Sequence, residues 1–217
     1  ETVLDAGCGS GRVTEELLDR LPRGRVIAAD AAPSMLAEAR RRLARFGDRV
    51  VFVECDLGRP LPVEGPVDAV LSTSTFHWVA DHDALFANLA AVLRPGGWLV
   101  AQCGGAGNAA SVQRAAAELL DDGWMGPWTF ATPQETSARL AAAGFVDIEA
   151  WLQVEPTPIE PGEPLETFLR TVILRAHLDR LPERDRDGFV RRVAARLPTP
   201  VIDYVRLNLV ARRAGGR

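Results

Sequence analysis

The hydrophobic and polar positions alternate between two patterns over the first half of the chain. Five short apolar runs predict strands, at 3–6, 25–29, 50–53, 67–71 and 98–103. Three intervening stretches place apolar side chains every three or four residues and predict helices, at 12–20, 33–43 and 83–93. This alternating order predicts a mostly parallel sheet with helices on both faces.

The second half continues with further helices and two more strands. Helices are predicted at 109–120 and 133–143, and the second of them ends at Gly144. A strand follows at 145–151, and the chain closes with another strand at 202–211. A long interruption therefore separates the last two strands.

The interruption has its own helical pattern. A proline-rich connection at 156–164 precedes an amphipathic helix, because the apolar side chains between 165 and 173 fall on one face. Phe189, Val193 and Leu197 indicate a second helix. We interpret residues 156–200 as a small helical cap inserted before the last strand, so that residues 1–217 form a single domain.

Three glycines connect the first strand to the first helix. Gly7, Gly9 and Gly11 allow a tight turn and let a ligand approach bare backbone. Asp30 ends the second strand, where a carboxylate can accept hydrogen bonds from both hydroxyls of a ribose. Asp56 ends the third strand and faces the same crevice. The combination predicts a nucleoside-containing cofactor at the carboxyl ends of the strands.

The spacing of the loop favours one cofactor over another. The dinucleotide-binding loop carries a third glycine where this chain has Arg12. Asp5, two residues before Gly7, is placed to meet a ligand ammonium group, which NAD lacks and an amino-acid tail possesses. These two features favour S-adenosylmethionine over NAD.

The motifs together resemble a known family. The sequence DAGCGSG at 5–11, Asp30, the CD pair at 55–56 and LRPGG at 93–97 resemble the class I S-adenosylmethionine-dependent methyltransferases. Three further segments of the chain are similar to a narrower group, the trans-aconitate methyltransferases. They are FHWV followed by DH at 76–82, TPQETSARLAAAGF at 132–145 and YVRL at 204–207.

The resemblance implies a fold and a set of binding residues. The fold is an α/β Rossmann-like three-layer sandwich, whose seven-stranded, mostly parallel sheet has an antiparallel last strand. The cofactor is S-adenosylmethionine, released as S-adenosylhomocysteine. The implied contacts are Asp5, Gly7, Cys8 and Gly9 around the methionine part, Asp30 at the ribose, Ala31 and Met35 beside the adenosine, Asp56 and Leu57 at the adenine, and Ser72 at the amino-acid tail.

The acceptor is predicted to lie near His77, which follows the fourth strand. His77 is the candidate general base, since histidine titrates near neutral pH, and the alternative is a polar wall of the pocket. Trp78, Trp124 and Trp128 are candidate walls, with core packing as the alternative. Arg206 is a candidate ligand for an anionic acceptor, with a structural ion pair as the alternative.

Composition restricts the partners. The 25 basic residues are all arginine and are outnumbered by 29 acidic residues, so no basic field for nucleic acid or an anionic membrane is expected. Three widely spaced cysteines indicate buried fillers in a reducing cytoplasm, with neither disulfide nor metal. Because the chain opens inside a strand, we expect a missing N-terminal segment.

Three functions remain in view after these arguments. The first is a small-molecule methyltransferase, a monomer or homodimer, with O-methylation of a carboxylic acid as the leading reaction. In the trans-aconitate group an asparagine commonly replaces Thr73 and a glutamine can replace His77, so the resemblance does not name the acceptor. The alternatives are a nicotinamide-dependent oxidoreductase and a non-catalytic module that binds the cofactor.

Overall fold

The computed structural model describes residues 1–215 and contains a seven-stranded sheet in the order β3-β2-β1-β4-β5-β7-β6. Its strands are β1 Thr2–Ala6, β2 Arg25–Asp30, β3 Val50–Glu54, β4 Val67–Thr73, β5 Leu93–Gly104, β6 Phe145–Pro158 and β7 Val201–Arg213. The pairs among β1 to β5 are parallel, whereas β7 is antiparallel to both β5 and β6. This confirms the mostly parallel sheet with an antiparallel last strand.

Helices cover both faces of the sheet. They are α1 Arg12–Arg20, α2 Pro33–Arg42, α3 His82–Val92, α4 Ala110–Leu120, α5 Pro133–Ala142, α6 Glu163–Phe168, α7 Arg175–Leu178 and α8 Glu183–Arg196. On one face, Leu18 of α1 and Leu36 of α2 pack with β2. On the other face, α3 and α5 pack against β1, β4 and β5. The three-layer arrangement is confirmed.

The helices between β6 and β7 form the predicted helical insertion. A π-helix at Leu169–Ile173 joins α6 to the short α7, and α8 then returns towards β7. Phe189 and Val193 of α8 are fully buried and pack with Val112 of α4. The insertion therefore has its own apolar core, which joins the sheet through Ile202 and the partly buried Tyr204 of β7.

The boundary of the insertion differs from the predicted one. β6 runs seven residues past 151, and Pro156–Pro158 pairs with the start of β7 instead of forming a connection. β6 lies at the edge of the sheet, where a proline removes no hydrogen bond that a second neighbour needs. The prolines therefore mark an edge strand at this point.

The cysteines fill apolar space. Cys8 and Cys103 are buried and Cys55 is half-buried, and all three are free thiols. Burial raises the pKa of the Cys8 and Cys103 thiols to about 12, so both stay protonated at neutral pH. Separately, no helix within residues 1–215 has the length and apolar character needed to cross a membrane.

Candidate functional site

A cavity of about 770 Å³ lies at the carboxyl ends of β1, β2, β3 and β4. We call it the glycine-loop cavity. Its lining includes Gly7, Cys8, Gly9, Asp30, Ala31, Met35, Asp56 and Leu57, all singled out from the sequence. Arg12, Thr73, Ser74, Thr75, Trp78 and Arg175 also line it. The crossover connections of a parallel sheet bring these strand ends together.

The glycine loop has a conformation that side chains would obstruct. Gly7 has φ 85° and accepts no Cβ, since an added Cβ would lie 2.1 Å from the Thr75 hydroxyl oxygen. Its amide and that of Cys8 both donate to the Ala29 carbonyl, at 2.8 and 2.9 Å. Gly9 has φ 53° and nothing within 4 Å of its Cβ position, so a ligand can approach its backbone.

Asp30 joins the loop to the start of α2. One carboxylate oxygen accepts from the Gly9 amide at 2.8 Å, and the other accepts from the Ala32 amide at 2.8 Å. Each carboxylate oxygen has a second lone-pair position. Asp30 is therefore fixed in orientation and still able to accept two hydrogen bonds from ligand hydroxyls.

Asp5 lies behind the loop and is fully buried, outside the lining of the cavity. The Thr14 hydroxyl donates to its Oδ2 at 2.6 Å, whereas its Oδ1 has no hydrogen-bond partner. Burial raises the pKa of the Asp5 carboxyl to about 6; the Thr14 hydrogen bond opposes this rise, and the nearby Asp30 charge adds to it. An orphaned carboxylate oxygen of this kind fits a cationic group bound on the other side of the loop.

Ser72, whose backbone is predicted to meet the amino-acid tail, has its side chain outside the lining of the glycine-loop cavity. Ser72 is buried, donates through its hydroxyl to the Ala6 carbonyl at 2.6 Å and does not line the cavity. Thr73 and Ser74 line it instead, and Ser74 has a positive φ of 56°. The alternation of side chains along a strand explains this placement, because the side chain of residue 72 faces the core; the role of the Ser72 backbone stays a prediction.

A second cavity, of about 280 Å³, adjoins the first through the shared residues Ser74 and Trp78. We call it the aromatic cavity. The other side chains in its lining are His77, Asn108, Ala109, Gln113, Trp128, Phe130, Val172, Ile173, Tyr204 and Arg206. They come from the 3₁₀-helix Phe76–Trp78, from the connection between β5 and α4, from α4, β7 and the π-helix, and from the segment before α5.

His77 lines the aromatic cavity and is held in one tautomer. Its Nδ1 accepts from the Gly104 amide at 3.2 Å, which places the proton of the neutral ring on Nε2. Burial, then Arg206 and His82, lower the pKa of His77 to about 4. A ring with this pKa and tautomer presents no free lone pair at neutral pH, and the geometry favours the pocket-wall reading over the general base.

Arg206 is the one charged side chain that lines the aromatic cavity within the described residues. Its guanidinium lies 4.5 Å from the centre of the Tyr204 ring. Its Nε is 3.5 Å from a Glu155 carboxylate oxygen but makes no hydrogen bond, although it is buried. A guanidinium with an unused buried donor is suited to bind an anion.

The aromatic residues divide between two places. Trp78, Trp128 and Phe130 line the aromatic cavity, as the sequence predicts for the first two. Trp124 lines neither cavity and instead packs against His177 and Arg180 of the helical insertion. The sequence did not predict that Val172 and Ile173 would line a cavity, because their spacing indicates only a buried helix face.

The histidine and aspartate cluster at 77–83 has structural roles outside His77. Asp81 caps α3 by accepting from the amides of Asp83 and Ala84, both at 3.0 Å. His82 Nε2 lies 2.9 Å from the Phe76 carbonyl oxygen. In the part of the chain that the structure describes, no three His, Cys, Asp or Glu side chains are arranged to hold a metal ion.

Comparison with known proteins agrees with these features. Residues 3–97 match a family described as a methyltransferase domain. Trans-aconitate 2-methyltransferase of Acidovorax sp. (strain JS42) is 28% identical over 98% of this chain and 86% of its own length. Malonyl-(acyl-carrier protein) O-methyltransferase of Geobacter sulfurreducens is 33% identical over 78% of this chain and 64% of its own length.

A solved structure shows the same fold. Phosphoethanolamine N-methyltransferase 2 of Haemonchus contortus, in complex with phosphomonomethylethanolamine and S-adenosylhomocysteine, superposes with a TM-score of 0.67 at 22% identity. The alignment includes all of this chain and 49% of that protein, so the chain spans about half its length.

Proposed function

We propose, from the premise that the chain is a class I S-adenosylmethionine-dependent methyltransferase, that it methylates the carboxylate of a small organic acid. S-adenosylmethionine supplies a methyl group activated on a sulfonium, which is transferred by in-line displacement. The protein then has to position the acceptor and keep water away from it, and alignment of this kind contributes on the order of 7–11 kcal/mol.

The residues around the glycine-loop cavity fit the cofactor. We assign the open backbone at Gly9 to the methionine part and the free acceptor positions of Asp30 to the ribose hydroxyls. Asp56 and Leu57, with Met35 opposite, would hold the adenine, while the unpartnered oxygen of Asp5 favours the ammonium group from behind the loop. These roles rest on the chemistry of each group at its observed place.

The proposed class of acceptor rests on one observation: the aromatic cavity contains both a cation and a histidine that is held in one neutral tautomer. Arg206 offers a charge to an anion, and His77 offers an N–H but no base. A carboxylate is already ionised at neutral pH and needs no base, whereas an amine or a phenol has to lose a proton. Two relatives are also named for acceptors of this class, trans-aconitate and malonyl-(acyl-carrier protein).

The charge of the aromatic cavity limits how many carboxylates the acceptor can carry. A tricarboxylate such as trans-aconitate would face one guanidinium, already shared with Glu155, and the sulfonium of the cofactor. The remaining walls combine four aromatic rings with neutral polar side chains, namely Trp78, Trp128, Phe130 and Tyr204 with Ser74, Asn108 and Gln113. An unpaired carboxylate against such walls is costly. We therefore propose an acid with one or two carboxylates and an apolar body.

The test is a turnover screen that measures release of S-adenosylhomocysteine and identifies the product by mass. The panel contains arylalkanoic monocarboxylates, dicarboxylates, trans-aconitate, and amides, amines and phenols with the same carbon bodies. Esters formed from acids of low charge are the expected products. Turnover confined to amines or phenols, or faster with trans-aconitate than with every other acid, contradicts the proposal.

The pH profile separates the two readings of His77. Since the pKa of His77 is lowered to about 4, the ring is neutral throughout pH 5.5–8 and kcat/KM should show no titration of this group there. His77→Gln keeps an N–H donor and should retain most activity, whereas His77→Phe should lose roughly tenfold with an unchanged profile. A general-base role instead requires a rise in kcat/KM near neutral pH that both variants abolish.

A further inference from the structure

The segment from Asp121 to Ala131 borders the aromatic cavity without forming a helix or strand. Two backbone hydrogen bonds anchor the C-terminal end of this segment. The Thr129 amide donates to the His77 carbonyl at 2.9 Å, and the Ala106 amide donates to the Ala131 carbonyl at 3.0 Å. The part before Thr129 is positioned mainly by side chains. We call residues 121–131 the covering segment.

His177 of α7 inserts between two tryptophans of this segment. Its ring centre is 4.9 Å from that of Trp124, with an interplanar angle of 64°, and 5.8 Å from that of Trp128, at 41°. His177 is fully buried, and neither ring nitrogen has a hydrogen-bond partner. Buried polar atoms without partners are destabilising, so the ring contributes at this place through its packing.

Arg180 adds a second contact from the same part of the insertion. Its guanidinium lies 4.3 Å from the centre of the Trp124 ring and forms an ion pair with Asp122. Burial and then the charge of Arg180 lower the pKa of His177, whereas the Trp124 backbone and then the charge of Asp122 oppose this, so the neutral form of the ring is favoured. The covering segment is thus held by one neutral ring and one cation.

The contact series continues into the aromatic cavity. Trp128 stacks on Phe130 with centres 5.9 Å apart and an angle of 16°, and Phe130 stacks on His77 at 5.7 Å and 26°. Trp128, Phe130 and His77 all line the cavity. Through these ring contacts, a change at His177 reaches the wall of the cavity by way of Trp128.

We propose that His177 is a positioning residue for the acceptor, because its ring fixes Trp128 in the wall of the aromatic cavity and holds the covering segment against it. The relevance to the acceptor rests on the proposed function of this cavity. The contact of His177 with the covering segment does not depend on that function, and it can be measured without any acceptor. An apolar ring of similar shape would hold the segment more tightly, since it would bury no unpartnered nitrogen.

Hydrogen exchange of the covering segment, measured by mass spectrometry on the protein without ligands, tests the hold. His177→Ala removes both ring contacts and should accelerate exchange at 121–131 roughly tenfold, the scale expected from two aromatic pairs. His177→Phe should slow it below the wild-type rate. Val193→Ala, a buried truncation in α8 away from both tryptophans, should leave it unchanged.

The outcomes are distinguishable. The proposal is overturned if exchange is unchanged in His177→Ala, or if Val193→Ala accelerates it equally. If His177→Ala does not fold, the proposal is overturned when His177→Phe fails to slow exchange. With an acceptor in hand, His177→Ala should raise its KM several-fold while kcat and cofactor affinity remain, and His177→Phe should restore the KM. Absence of turnover with all acids would count against the proposed function alone.

Discussion

Asp5→Asn is expected to weaken S-adenosylmethionine binding about 10- to 100-fold while it stabilises the protein without ligand at pH 7. The Asp5 carboxylate is fully buried, and one of its oxygens has no partner. In the proposed binding mode this charge faces the ammonium group of the cofactor across the loop, and a 10- to 100-fold loss of affinity corresponds to about 1.4–2.7 kcal/mol of that attraction. Asparagine retains an acceptor for the Thr14 hydroxyl but lacks the charge.

The gain in stability has a defined pH dependence. The pKa of Asp5 is raised from 3.8 to about 6 in the folded protein, so its protonated form is favoured there. The corresponding contribution to stability is present below pH 4 and is lost as the pH rises through 6. Asp5→Asn should therefore match the wild type at pH 4 and exceed it above pH 6, by up to about 3 kcal/mol from a shift of some two pKa units.

Calorimetric titration with S-adenosylmethionine and thermal unfolding at several pH values measure both effects. Asp68→Asn is the matched control, because the Asp68 carboxylate accepts from the Thr2 amide at 2.7 Å and from Arg94 and its pKa is lowered. This control should reduce stability near neutral pH and leave cofactor affinity intact. Equal affinities of Asp5→Asn and wild type for the cofactor would refute the assigned role of Asp5.

The glycine loop and its acidic partners could be predicted because local physics fixes them. A turn that excludes a Cβ at Gly7 and carboxylates at the ends of adjacent strands are readable from spacing alone. The seven strands and the antiparallel last strand followed from the resemblance. The extent of β6 did not, since Pro156 and Pro158 look like a connection unless the strand is known to lie at an edge.

The acceptor side depends on long-range packing that no local pattern encodes. Trp124 and Trp128 are four residues apart, yet only Trp128 lines the aromatic cavity, and His177 between them comes from a helix some fifty residues later. The tautomer and lowered pKa of His77 likewise depend on the Gly104 amide and on burial. The sequence could name the residue types at this site, but it left open which of their alternative roles the packing favours.

Arg206→Leu should reduce kcat/KM for the acid acceptor roughly 100-fold and leave the affinity for S-adenosylmethionine unchanged. The guanidinium is the charged group of the aromatic cavity in residues 1–215, and charge-assisted hydrogen bonds contribute about 1.5–3 kcal/mol each. Arg206→Lys retains the charge without the planar fork and should recover part of the loss.

A change at Glu155 tests the role of the Arg206 charge in the opposite direction. Its carboxylate lies 3.5 Å from Arg206 Nε and competes with the acceptor for the guanidinium. The Glu155 side chain is also 43% exposed, so solvent screens the pair, and Glu155→Gln should cost little stability. Glu155→Gln should lower the KM for the acid a few-fold, because a neutral amide leaves the guanidinium to the acceptor. If Arg206→Leu and Glu155→Gln change the KM in the same direction, Arg206 acts through the packing of β6 and β7 and does not bind the acid.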